Sequence, residues 1–422
     1  MTKRALWFAA ALAVLTLLLA PIATEASATA PAAAAPKTTI TWLKVDAEEK
    51  AEAWKAVTAK WCEANGIHLV IRTVPWNDAE TKMLTAAVSA NPPDIATSGN
   101  WIEYGRKGIV YDLTSFPDFE EATRDLVQQG IPRFRGAAYS LPTADGTFMV
   151  MYYRKDILKS LGYTQFPDTW AEFNSCVEKM QAKGMKGVTV QWGNMGWMSF
   201  APFLWQAGGD FYSKDGAVAT LDTPEALTAM KQYGDLWLKY GVDKGGWPEM
   251  EKGLTSGKIP IGISGLWVAG YLDQGFPEMK GKWSIAMMPA GPSGRRTTFL
   301  GGEQIAMFKK TKNPEAAWKL IKYLMSPEAQ VAYYKAMLKD SLLLPSNLKA
   351  WEEIELPDPS LKDALYRQLK DSRGPDVTVL SFRAAQRYID EAIQKIIVNG
   401  ADPVETLASL TATMNRKIKE MR

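Results

Sequence analysis

Residues 39–96 read TITWLKVDAEEKAEAWKAVTAKWCEANGIHLVIRTVPWNDAETKMLTAAVSANPPDIA, and the hydrophobic period switches repeatedly along them. Thr39–Val45 is β-branched and apolar and predicts a strand. Asp46-Ala47-Glu48-Glu49 has capping-box spacing, with Asp46 at the N-cap and Glu49 at N3. The helix it opens buries Trp54, Val57 and Trp61 and stops at Asn65-Gly66. His68–Val74 is a second strand. Asn77 or Asp78 caps a helix through Met83, Leu84, Ala87 and Val88, Pro92-Pro93 ends it, and Asp94-Ile95-Ala96 is a third strand. This order predicts a βαβαβ unit with a parallel sheet. Ligands of such sheets bind beyond the carboxyl ends of the strands. Those ends are Lys44–Asp46, Pro75–Asn77 and Ser98–Trp101, and two of the three loops carry a tryptophan beside polar atoms.

The α/β alternation continues outward from this unit. Met149–Arg154, Gly187–Gln191, Ile259–Ser264 and Trp283–Met288 read as strands. Asp168-Thr169-Trp170 and Thr223-Pro224-Glu225 open helices, as do Asn313-Pro314, Ser326-Pro327 and Asp402-Pro403 in the tail. On the amino side, Lys3 and Arg4 precede an apolar run from Ala5 to Ala20, with small residues at Ala26-Ser27-Ala28 and Ala28-Thr29-Ala30. This predicts a cleavable signal peptide over 1–28, its apolar run too short for a membrane span of roughly 20 residues. Residues 29–36 form an Ala/Pro-rich leader. No cysteine lies near the cleavage region, so a free periplasmic protein is expected rather than a lipid-anchored one.

From Lys37 onward roughly 385 residues remain, long for one hydrophobic core and suited to two domains. The net charge of +3 is interspersed, with no basic block for nucleic acid. His68 is the only histidine, which removes most histidine-ligated metal sites and every Ser-His-Asp or Cys-His mechanism needing a better-placed one. No metal or cofactor is expected. Cys62 and Cys176 fall in amphipathic helices of different domains and are expected as free, buried thiols. Among the 16 tryptophans, Trp54, Trp61, Trp170, Trp205, Trp237 and Trp318 have helical core spacing. Trp42, Trp76, Trp101, Trp192, Trp197 and Trp267 instead sit in or at the ends of strands, or beside turns, where binding loops lie.

Several segments in order resemble one family. They are Asn91-Pro92-Pro93-Asp94-Ile95, Gly105–Leu113, Tyr139-Ser140-Leu141-Pro142, Met151–Asp156, Phe166–Trp170, Ser256–Trp267, Gly301-Gly302-Glu303, Asn313–Trp318 and Ser326–Gln330. The chain resembles the family 1 extracellular solute-binding proteins of ABC importers, the maltose- and trehalose-type periplasmic sugar binders. That resemblance implies an α/β, two-lobe periplasmic-binding-protein fold, with a hinge of several chain crossings and a ligand cleft between the lobes. The first lobe would be 37–146 plus 303–345, the second 147–302 plus 346–422. The implied function is capture of a mono-, di- or oligosaccharide without turnover, and delivery to the membrane permease of an ABC importer by a monomeric protein.

A sugar presents C–H faces and a ring of hydroxyls, so its site needs flat aromatic faces and paired donors and acceptors. Each hydroxyl left unpaired in a closed cleft costs about 1–3 kcal/mol. Trp267, after Ser264-Gly265, matches the family's stacking tryptophan. Lys44 and Asp46 match ligand-contact positions, and Thr147 and Phe148 fall where a family acid or aromatic meets the ligand at the hinge. Arg383 matches a late binding position. Trp76, Asn100 and Trp101 lie at strand ends, and the family often has an acid where Asn100 and Trp101 stand. Trp192 and Trp197 flank a Gly/Asn loop, and Gly302 and Glu303 offer a backbone N–H and a carboxylate. Three other readings use the same residues: a polyol, glycosyl phosphate or other polar solute on the same scaffold; a secreted carbohydrate-active enzyme with paired carboxylates; and a ferric-ion binder using Tyr152-Tyr153 or Tyr333-Tyr334.

Overall fold

β1 (Thr38–Val45), α1 (Glu48–Ala64), β2 (Ile67–Val74), α2 (Ala79–Val88), β3 (Ile95–Thr97) and α3 (Trp101–Arg106) follow one another in the computed structural model. It describes residues 37–143, 147–190, 195–241, 250–375, 380 and 382–421. The expected signal peptide, the leader and Trp192 lie outside the described residues. β1 pairs in parallel with β2 from Thr38↔Ile67 to Val45↔Val74, and with β3 at Trp42↔Ile95. Ile40, Trp42 and Lys44 share one face of β1 and are all buried.

The chain continues through β4 (Leu141–Pro142), β5 (Met149–Arg154), α4 (Trp170–Ala182), β6 (Val188–Val190), α5 (Trp197–Ala207) and α6 (Pro224–Leu238). Then come β7 (Ile261–Gly265), α7 (Val268–Gly275), β8 (Trp283–Ala286), β9 (Thr298–Phe299), β10 (Gln304–Met307), α8 (Pro314–Leu324) and α9 (Pro327–Met337). β11 (Ser372–Arg373), α10 (Phe382–Ile397) and α11 (Pro403–Glu420) close the fold. The first sheet has the order β2-β1-β3-β10-β4 and the second β8-β5-β7-β6. The first sheet is not purely parallel: β10 returns antiparallel to β3, with Ile305 opposite Thr97.

Each sheet has its own core, which makes the molecule two-lobed. Ile40, Trp42, Trp54, Ile95, Ile305, Trp318 and Tyr333 cluster on the first sheet. Met149, Met151, Val190, Trp205, Tyr233 and Ile263 cluster on the second. The chain passes between the sheets after β4, before β10, and again between α9 and β11. The first two crossings run side by side: Gly301 N–H donates to Thr147 O at 2.8 Å, and Thr143 N–H to Glu303 O at 2.9 Å.

Local signals place most helix starts. Thr169 and Glu172 form a reciprocal capping box on α4. Thr223, Ser326 and Asp402 accept N–H bonds ahead of Pro224, Pro327 and Pro403. Two expectations are corrected. The N-cap of α1 is Ala47, not Asp46, whose side chain is drawn off to lysines. α2 buries Ala79, Met83 and Ala86 against Val45, Val74 and Trp101, while Leu84 and Val88 face solvent. Cys62 and Cys176 are free and buried, and burial pushes the Cys176 thiol up to about 11.

Candidate functional site

Because β1 and β3 run parallel and β10 runs against them, the ends of β1 and β3 and the start of β10 share one edge. Lys44 sits at that edge on the inward face of β1 and is fully enclosed. Its Nζ donates to Glu303 Oε2 at 2.6 Å and lies 3.7 Å from Asp46 Oδ2. Lys50, one helical turn beyond Asp46, donates to the same Oδ2 at 2.8 Å. Thr97 Oγ1 accepts the Val45 N–H at 3.1 Å and locks β3 beside it.

Charges this deeply placed persist only when paired and hydrogen-bonded. Burial pushes the Asp46 carboxyl up, but Lys50 and Lys44 outweigh it and hold the group below its ordinary value. The sign follows: an acid whose folded value is lowered adds stability above its unfolded value, and that stability is lost as pH falls through the folded one.

The second wall is built on the ends of β7 and the crossings. Thr147 Oγ1 accepts the Leu266 N–H at 3.1 Å, so the first crossing is tied to the end of β7. Gly265 then gives the chain room for Trp267: a Cβ there would sit 1.8 Å from the indole. The half-buried Trp267 packs against both the first-sheet core and the cluster of Phe148, Val150 and Leu266 on the second. Gly302, at φ 99°, turns the second crossing into Glu303 with a backbone few other residues adopt.

The structure thus brings Asp46, Glu303 and Gly302 together at one edge, with Thr147 and Trp267 on the adjoining crossing and strand end. Other candidates stand elsewhere. Trp76 is solvent-exposed at the start of α2. Asn100 Nδ2 donates to Glu103 Oε2 at 2.7 Å on α3. Arg383, on α10, lies 3.7 Å from Glu80 of α2, an exposed pair joining the lobes and of little energetic weight.

Four expectations are corrected by burial. Lys44 is enclosed by its carboxylate partners and presents nothing to a cleft. Trp101 folds back into the core, edge-on to Tyr104 and Phe308, and its Nε1–H donates to Gln304 O at 2.8 Å. Phe148 is fully buried and bridges to Leu300. Trp197 packs edge-on to Phe299 at 5.3 Å, inside the second core. The tyrosine pairs do not gather for iron either. Tyr152 donates to Gly265 O at 2.9 Å, Tyr334 to Glu355 O at 2.6 Å, and Tyr333 stacks on Trp54.

Two residues at this site and one beside the second core escaped the sequence reading. Lys50 was discoverable from its i,i+4 spacing to Asp46. Ser98, at the end of β3, has φ 65° and a buried Oγ without a hydrogen-bond partner among the described residues. A strained residue with an orphan hydroxyl at a strand end is a functional signature, but no sequence pattern announces it. Asp390 of α10 accepts the Trp197 N–H at 2.7 Å; burial pushes its carboxyl up, against those bonds. Among the described residues no helix is long and apolar enough to cross a membrane.

Comparison with known proteins follows the same outline. The profile of the bacterial extracellular solute-binding protein family matches residues 46–331. A putative binding protein of Brucella abortus is 27% identical over 331 residues, covering 69% of this chain and 79% of its own. The maltooligosaccharide ABC transporter solute-binding lipoprotein of Streptococcus pneumoniae is 24% identical over 318 residues, 71% of each chain. Among solved structures, the sugar-binding protein MalE of Xanthomonas citri superposes with a TM-score of 0.77 at 20% identity, over 91% of this chain and 98% of its own.

Proposed function

The chain belongs to the bacterial extracellular solute-binding protein family, and from that membership we propose that it captures a carbohydrate in the cleft between its lobes and hands it to the permease of an ABC importer. It works outside the cytoplasm, as a monomer released from its signal peptide, and binds without turnover. The lobes divide at 37–146 plus 303–345 and 147–302 plus 346–422. The observation that carries the reading is the half-buried indole of Trp267, set where the first crossing is tied to the end of β7. An indole packed against the cores of both lobes offers an apolar face for a sugar's C–H surface. Asp46, held at the edge of the first sheet by Lys44 and Lys50, offers carboxylate acceptors for the sugar's hydroxyls. Relatives named for maltooligosaccharide and sugar binding support the same ligand class.

A thermal-shift and tryptophan-fluorescence panel of mono-, di- and oligosaccharides tests this. At least one sugar is expected to raise Tm and change the fluorescence with 1:1 stoichiometry. A broad panel without any response, or release of a hydrolysed product, removes the reading.

Gly265 gives a second, sharper test. Gly265→Ala forces the Trp267 ring aside and is expected to weaken sugar binding roughly tenfold or more, with no further loss in a Trp267→Ala background. Equal losses in both backgrounds, read by calorimetry, would show that the glycine acts by another route.

A further inference from the structure

The four charges at the edge of the first sheet are not equivalent. Lys44 has 0% of its side chain exposed and Glu303 1%, with 2.6 Å between ammonium and carboxylate. Asp46 lies 3.7 Å from the same ammonium and 2.8 Å from Lys50. Lys44 and Glu303 are thus sealed in, Asp46 is nearly so at 5% exposed, and Lys50, 19% exposed, approaches Asp46 from the first turn of α1.

We propose that Lys44 and Lys50 are positioning residues, which hold Asp46 beside Glu303 as an ionised carboxylate, so that the ligand meets an acceptor at this edge. The ligand part of this rests on the sugar-binding reading above; the charge arrangement does not.

Two carboxylates gathered on one ammonium repel each other once it is removed, and the cheapest relief is a proton on one of them. A protonated carboxyl presents a donor where an ionised one presents only acceptors. A sugar hydroxyl can still meet it, but with a different arrangement of donors and acceptors, and binding acquires a pH dependence. The groups that bear on Asp46 come from every packed element: Lys44 from β1, Lys50 from α1 and Glu303 from the second crossing. Burial favours protonation of Asp46, and Lys50, Lys44 and a hydrogen bond with Glu303 oppose it. Glu303 follows Gly301 and Gly302 directly, and Gly301 is bonded to the first crossing. The Lys44–Glu303 pair therefore also fixes where the acceptor stands relative to the hinge.

The test uses the mature chain as wild type, Lys44→Met and Lys50→Met. In the first arm, carboxyl carbons of Asp46 and Glu303 are followed by NMR through an acid titration without ligand. Wild type is expected to keep Asp46 ionised to low pH, whereas Lys44→Met and Lys50→Met each titrate it at clearly higher pH. Titration unchanged from wild type in the variants overturns the proposal. In the second arm, maltotriose affinity is measured by calorimetry at about pH 5 and about pH 8. Wild type is expected to change less than about threefold between them, and each variant to bind roughly tenfold more weakly at the acid end. A folded variant with a flat profile overturns the positioning role. Lys50→Met leaves Glu303 paired to Lys44, so the test survives if Lys44→Met does not fold. Failure of wild type to bind any sugar removes the functional reading, while the NMR arm still decides the charge arrangement.

Discussion

Replacing Trp267 by alanine is expected to raise the Kd for the captured sugar roughly 30- to 150-fold, a loss of about 2–3 kcal/mol. The size follows from what the ring does. Burying an apolar side chain of this class against a ligand contributes about 1.5–3 kcal/mol, and an aromatic face adds about 0.5–1.5 kcal/mol beyond area. Part of that contact already exists without ligand, because the indole packs on the cores of both lobes. The loss is therefore smaller than the sum of the two. Trp267→Phe keeps a flat face and is expected to fall between wild type and alanine. Calorimetric titration of the three proteins checks the order. An alanine variant that binds as tightly as wild type would remove the indole from the site.

The same residue shows which parts of the molecule local sequence can encode. Strand periods, proline at N1 and the Thr169–Glu172 box are short-range patterns, and the folded elements begin where those patterns place them. The edge of the first sheet was legible for the same reason, since a βαβαβ order dictates where the strand ends meet. Burial at that edge was less legible. Asp46 had the spacing of an N-cap, yet Lys50 and Lys44 compete for its oxygens, and Lys44 is drawn inward by Glu303, 259 residues away. Lys44 follows Ile40 and Trp42 on the buried face of β1, and its counter-charge lies on a distant crossing. Trp101 and Trp197 failed in another way. A tryptophan beside a turn reads as a loop residue, but Phe308 and Phe299, each distant in sequence, close over these rings. Long-range partners decided Lys44, Trp101 and Trp197, and no window of sequence contains them, whereas Asp46 is claimed by a lysine only four residues on.

Trp54 is where that long-range dependence is greatest, and Trp54→Ala is expected to cost the first lobe about 3–5 kcal/mol. Its ring is fully buried, stacks on Tyr333 at 4.1 Å and leans on Trp42 at 6.0 Å. One side chain thus joins α1, α9 and β1. The cavity left by the indole is lined by two more aromatic rings, which are stiff and cannot collapse into it, so the cost lies toward the upper end of the range. The second core, around Trp205 and Tyr233, contains neither neighbour. Denaturant unfolding of the variant is therefore expected to split into two transitions, with the first lobe leaving early and the second near the wild-type midpoint. Sugar binding should vanish with the first transition, because Asp46 and Glu303 depend on β1 and β10 standing in register with β3. A single transition shifted by less than about 1 kcal/mol would mean that the two lobes share their stability and that Trp54 is not the keystone of the first.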